Sequence, residues 1–325
     1  MTSWSDSHVM SPGMTQCFPA ARQAVVVLGM HRSGTSLCAH LLHALGVDMA
    51  SEPGASPSNA GGHWERPRLN DLNDQIFGFF DRAWSGPSHI LAMPEHWMGD
   101  PRVQAVKRAL AAILADGLAR AGVYGFKDPR TARLLPLWRQ VFAELGAAPR
   151  FVVCIRDPAQ VSRSVSARDK MAREHAEYRW LIYNADIVAH LGGSEICLVP
   201  YEHWFTQPVA TMRRVADFVG LPAPRDDLAA TIVDAGLRHD DHEAPPAGRM
   251  ARRLYRMILD GVTDRGGHQV FDTDLRNFCA LIGEFEQQMQ PLLVDREILR
   301  ASVADQNRVI GDLNAAIRDL RRRAA

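Results

Sequence analysis

Hydrophobic positions along the chain follow two rhythms. Residues 24–29 (AVVVLG) form a short β-branched run stopped by glycine, the pattern of a strand buried on both faces in a parallel sheet. Behind it, Leu37, Leu41, Leu42 and Leu45 recur at helical spacing, and Gly46 offers a C-terminal stop. The same order repeats. Residues 123–126 precede a turn at Asp128-Pro129 and a helical stretch reaching about Leu145; residues 150–155 precede Asp157-Pro158 and another helix; residues 195–200 give a fourth strand. Strands alternating with helices predict an α/β fold of three layers around a mostly parallel sheet. Such sheets bind ligands beyond the carboxyl ends of their strands.

Between the first two units, residues 51–67 are rich in Ser, Pro, Gly and Asn, and a loop of that length in a compact domain points to a segment covering a site. From about Arg249 the pattern reads as helical throughout. Leu299, Val303, Ile310, Leu313, Ile317 and Leu320 follow steps of four and three, interrupted at Gln306 and weakened by Gly311. A short coiled coil joining two copies and packing against the domain both remain open at this point. The chain divides into a flexible leader (1–22), an α/β domain (23–245) and a C-terminal helical extension (246–325).

Composition narrows the function classes. With 325 residues, 46% of them hydrophobic, the chain can bury a full core. Lys plus Arg equals Asp plus Glu at 37 each, so no global charge attracts nucleic acid or an anionic membrane, and any anion site must be local. The longest apolar runs fall far short of the ~20 residues that span a bilayer. The first 22 residues lack a basic start followed by an apolar core, so a cytoplasmic location is expected. Five scattered cysteines (Cys17, Cys38, Cys154, Cys197 and Cys279) with no CxxC argue against disulfides and zinc.

The candidate chemistry sits at the first strand-to-helix junction, Gly29-Met-His-Arg-Ser-Gly-Thr-Ser36. There, backbone N–H groups and the helix dipole make a site for phosphate or sulfate. Gly29 and Gly34 have the spacing of the nucleoside-triphosphate loop, but its lysine position holds Thr35, which weakens a kinase or ATPase reading. Arg32 is the cation in the loop, able to fork two hydrogen bonds onto one anionic group. Arg156, at a strand end, and Ser164, on the next helix, can converge on a second phosphate.

The loop and the Arg156/Ser164 pair resemble the sulfotransferase family, in which RSGTS or RSGTT follows the first strand. An arginine and a serine eight residues later hold the donor's 3'-phosphate in that family. Segments 200–208 and 213–222 resemble its YEDL and FLGLP scaffold, so the likeness runs from about residue 24 to 239. The late K-G-x-x-G-x-W loop of its cytosolic branch is not visible here. The resemblance implies a P-loop-type fold and transfer of a sulfuryl group from 3'-phosphoadenosine-5'-phosphosulfate (PAPS) to an acceptor hydroxyl or amine without a metal. Arg32, Ser33, Gly34, Thr35, Ser36, Arg156 and Ser164 are then the donor-binding residues. Lys127, in FKDPR, resembles the KDP lysine of the tyrosylprotein branch and is expected to share charge stabilisation with Arg32. For the general base, Glu65 is favoured, with His63 and Glu52 as alternatives. The acceptor is a small molecule or glycan, with carbohydrate preferred from resemblance to bacterial relatives. A P-loop small-molecule kinase and a noncatalytic nucleotide-binding scaffold are the alternatives. His40, His43 and His190 fall on helical stretches and read as structural.

Overall fold

The computed structural model describes residues 23–50, 61–82, 91–233, 245–265 and 268–324. Strand β1 (Gln23–Leu28) alternates its side chains between two cores. Ala24, Val26 and Leu28 enter one cluster while Val25 and Val27 enter the other, which is why the run lacks a polar phase. Helix α1 (Thr35–Ala44) returns along the second face. Helices α2 (Pro67–Gly78) and α3 (Pro101–Arg120) lead to β2 (Val123–Lys127), and α4 (Leu135–Leu145) leads to β3 (Ala148–Ile155). Helices α5 (Pro158–Asp169) and α6 (Arg173–Leu191) connect to β4 (Ile196–Pro200). These four strands stand in the order β2-β1-β3-β4, all parallel. Helices α2 to α6 cover the first face; α1, α7 (His203–Thr206), α8 (Pro208–Phe218) and α9 (Asp227–Ile232) cover the other. The α/β sandwich expected from the sequence is the observed architecture. Cys154 and Cys197 are buried free thiols in its strands.

The stretch after Arg249 departs from the helical reading. Helix α10 (Arg249–Asp260) gives way to a hairpin, β5 (Val262–Arg265) and β6 (His268–Phe271), and β6 pairs antiparallel with β4 to extend the sheet to six strands. Each hairpin strand is only four residues long, too short to stand out between two helical patterns. Helix α11 (Thr273–Ala324) then runs for 52 residues. Its first part lies on α6, burying Leu275, Cys279, Ile282 and Glu286. Among the described residues, no helix is long and apolar enough to cross a membrane.

Candidate active site

The carboxyl ends of β1, β2 and β3 meet at one edge of the sheet. The loop after β1 can lie flush on the strand tips only because of its two glycines. A Cβ on Gly29 (φ 144°) would stand 2.5 Å from the Cys154 carbonyl oxygen, and one on Gly34 (φ 87°) would stand 2.8 Å from the Tyr201 ring. Gly34 precedes α1 without a side-chain cap, so the positive end of the helix dipole opens toward the loop. Ser33 is fully buried, and its Oγ has no hydrogen-bond partner among the described residues. A glycine cradle, an uncapped helix start and an unsatisfied buried hydroxyl fit a phosphate or sulfate group.

Arg32 bridges this loop to α5. Its Nε donates to Ser164 Oγ at 2.8 Å. Arg156, the residue after β3, donates from Nη1 to the Arg32 carbonyl at 3.2 Å and from Nε to Gln160 Oε1 at 2.8 Å. Its guanidinium also lies 4.0 Å over the Tyr201 ring. Asp157 caps α5 by accepting from the Ala159 and Gln160 N–H groups, with Pro158 in the first turn. That cap starts the helix at the strand tip and brings Ser164 back to Arg32. Burial, then repulsion from Arg168 and Arg156, lowers the Arg32 pKa from its ordinary value, yet arginine remains cationic at neutral pH. The two anion-binding pairs expected from the sequence are therefore contiguous.

On the other side of β1, Lys127 ends β2 and is only 3% exposed. Its Nζ donates to Glu65 Oε1 at 2.5 Å, while Asn70 Nδ2 donates to Glu65 Oε2 at 2.5 Å. The next residue, Asp128, is wholly buried and accepts from Asn73 at 2.8 Å and from Arg130. Burial pushes its carboxyl above the usual range against the pull of Arg130. Half-buried His63 is held below its ordinary pKa by burial first and by Lys127 next, with Arg168 and Arg32 adding in the same direction and Glu65 opposing. It is neutral at pH 7, and its coupling to Lys127 and Arg32 joins the two halves of the site. Trp64 fixes this segment to α1, stacked by His40 at 4.6 Å and met by a tilted His43 ring at 4.7 Å. Glu52 lies outside the described residues.

A sequence profile of the sulfotransferase family matches residues 24–226, which span the loop, both arginines, Lys127 and Ser164. The chain belongs to the sulfotransferase family. No curated protein matches it. Among solved structures, it is similar to the sulfotransferase domain of the Synechococcus PCC 7002 olefin synthase, with 16% identity over 84% of this chain and 98% of that one at a TM-score of 0.41. It is also similar to retinol dehydratase in complex with androsterone and the inactive cofactor PAP, with 13% identity over 86% of this chain and 81% of that one at a TM-score of 0.34.

Several residues that the motifs do not mark stand at the site. Segment 200–208 reads as scaffold, yet Tyr201 packs beneath Arg156 and against Gly34. Asn70 holds Glu65, and Gln160 holds Arg156. Arg168, one turn beyond Ser164 on α5, acts electrostatically on both Arg32 and His63. The i, i+4 spacing of Ser164 and Arg168 on α5 is the sequence signal by which Arg168 could have been found.

Proposed function

We propose that this protein transfers a sulfuryl group from PAPS to a hydroxyl or amine of a small molecule or glycan. The observation that carries this reading is the direct contact of the two half-sites, Arg32 with Ser164 and Arg156 with the Arg32 carbonyl. One nucleotide bearing anionic groups at both its 5' and 3' positions can then be gripped by both. When bound, the donor supplies an activated sulfuryl group whose leaving group is the nucleotide bisphosphate. Ser33, Gly34, Thr35 and Ser36 hold the 5' end through the start of α1, and Arg156 with Ser164 holds the 3'-phosphate. Arg32 and Lys127 stabilise negative charge on the bridging oxygen as its bond to sulfur breaks. Glu65 takes the proton of the acceptor as the new bond to sulfur forms. Both its oxygens are already hydrogen-bonded, but a carboxylate has about four acceptor sites, so capacity remains. No step in this scheme uses a metal.

Calorimetry with 3'-phosphoadenosine-5'-phosphate tests the donor assignment. Binding is expected in the presence of a chelator, and Arg32→Ala or Arg156→Ala is expected to weaken it by about 100-fold or more, as loss of a charge-assisted contact does. Failure to bind with or without magnesium overturns the donor assignment, and magnesium-dependent ATP turnover favours the kinase alternative.

A further inference from the structure

We infer that the second half of α11 is the seam of a parallel two-stranded coiled coil, and that its partner is a second copy of this chain. Every described side chain from Gln287 onward is exposed or only half-buried, whereas the anchoring residues Leu275, Cys279, Ile282 and Glu286 all precede Pro291. The described surface carries 12 exposed large hydrophobic residues, and 8 of them lie at or after Leu292 on this one helix. Leu299 is 66% exposed, Ile310 54% and Leu313 58%. A contiguous apolar stripe of this kind marks an interaction surface.

The stripe's chemistry selects its occupant. With Leu299 at heptad position d, the d series is Leu299, Gln306, Leu313 and Leu320, and the a series is Val303, Ile310 and Ile317. β-Branched residues at a with leucine at d favour two parallel strands. Gln306 decides between orientations. In parallel register each layer meets itself, so the two Gln306 amides donate to and accept from one another. If the same seam pairs antiparallel with itself, each d position faces an a position, so Gln306 meets Ile310 or Ile317 and its amide is buried without a partner, at a cost. The flanking positions Ser302, Val309 and Ala316 (g) meet Asn307, Asn314 and Arg321 (e) across a parallel seam, and no like charges oppose one another there. Arg296 occupies the preceding a position and bounds the seam from below. From 299 to 320 the seam is about 33 Å long, and two such strips bury roughly 1,000 Å², the lower limit for a specific interface. Association is therefore concentration-dependent.

Sedimentation of the full chain from about 1 to 200 μM tests this, because mass action must fill the dimer across that range. The expected mass rises from 36.1 kDa toward twice that value. Ile310→Asp with Leu313→Asp, both at exposed positions, is expected to raise the dissociation constant by at least ~100-fold while leaving the fold intact. Gln306→Cys is expected to give a covalent dimer on mild oxidation, since in-register d positions adjoin across a parallel seam. Four outcomes each overturn the inference: a monomer at the highest concentration, a trimer or larger species, a dimer that survives the double aspartate variant, or a Gln306→Cys dimer that never crosslinks. Recruitment of an unrelated helical protein by a chain that remains monomeric also overturns it.

Discussion

Glu65 stands between two donors, Lys127 and Asn70, while His63 two residues earlier is held neutral by burial and by the same cations. The two candidates for the proposed base differ in what their loss does to Lys127. Glu65→Gln leaves a buried ammonium without its counter-charge and is expected to lower kcat by about 10²- to 10⁴-fold, the range for a lost general base. His63→Gln removes only a neighbour and is expected to cost less than about 10-fold. Steady-state rates with saturating donor make the comparison; the reverse ranking moves the proton-accepting role to His63. Arg32, Arg156 and Lys127 were legible in the sequence because they sit at or just beyond strand tips, where local pattern places them. Ser164, well inside α5, came only from the family's arginine-to-serine spacing, as the role of Lys127 came from its KDP motif. Asn70 and Tyr201 were not legible, since their roles arise from contacts made across the fold, with Glu65 through the turn of α2 and with Gly34 from β4's end.

Among elements, β1 through β4 were legible for a physical reason. Burial on both faces favours an apolar run; Gly29 stops β1, Asp-Pro follows β2 and β3, and β4 ends on Pro200. The β5–β6 hairpin is an edge pair of short strands, so nothing forces such a run on it. Helix α6 shows what pattern alone cannot give. Its half-buried His190 is pulled down to about 4 by burial first and by Arg133 and Arg139 next. Asp186, 3.9 Å away, offers little compensation because burial raises its own carboxyl to about 7 and it protonates as the solution acidifies. The folded-state pKa of His190 is thus below the unfolded value of about 6.5. Its contribution to stability is fully present above that value and is lost as pH falls toward 4. Asp186 has the opposite slope, since its raised pKa favours folding at low pH and that contribution is lost as pH rises through 7. His190→Gln is expected to remove only the histidine part, so the variant loses less stability than the parent between pH 7 and pH 4. Urea denaturation across that window measures it, and an unchanged slope shows that His190 is charged in the fold.

At the scale of the whole molecule, α11 belongs to two bodies. Its first part is fixed by Glu286, which accepts from Arg133 at 2.8 Å with both residues buried, while Arg133 also meets the half-buried Asp186 at 3.0 Å. Pro291 then removes one backbone donor from the helix ladder, and beyond it no described side chain is buried. Stability is therefore divided at that proline, because a segment whose described side chains are exposed or half-buried shares little in the core's cooperative unfolding. A chain ending at Gln290 is expected to melt, by near-ultraviolet dichroism, within about 2 °C of the full chain, a shift below 1 kcal/mol for a domain of this size. The full chain is expected to show a second, helical transition whose midpoint climbs with protein concentration, as dissociation demands, and the shortened chain is expected to lack it. A drop of more than about 5 °C in the shortened chain means instead that residues 291–324 brace the domain, because only lost core contacts cost that much.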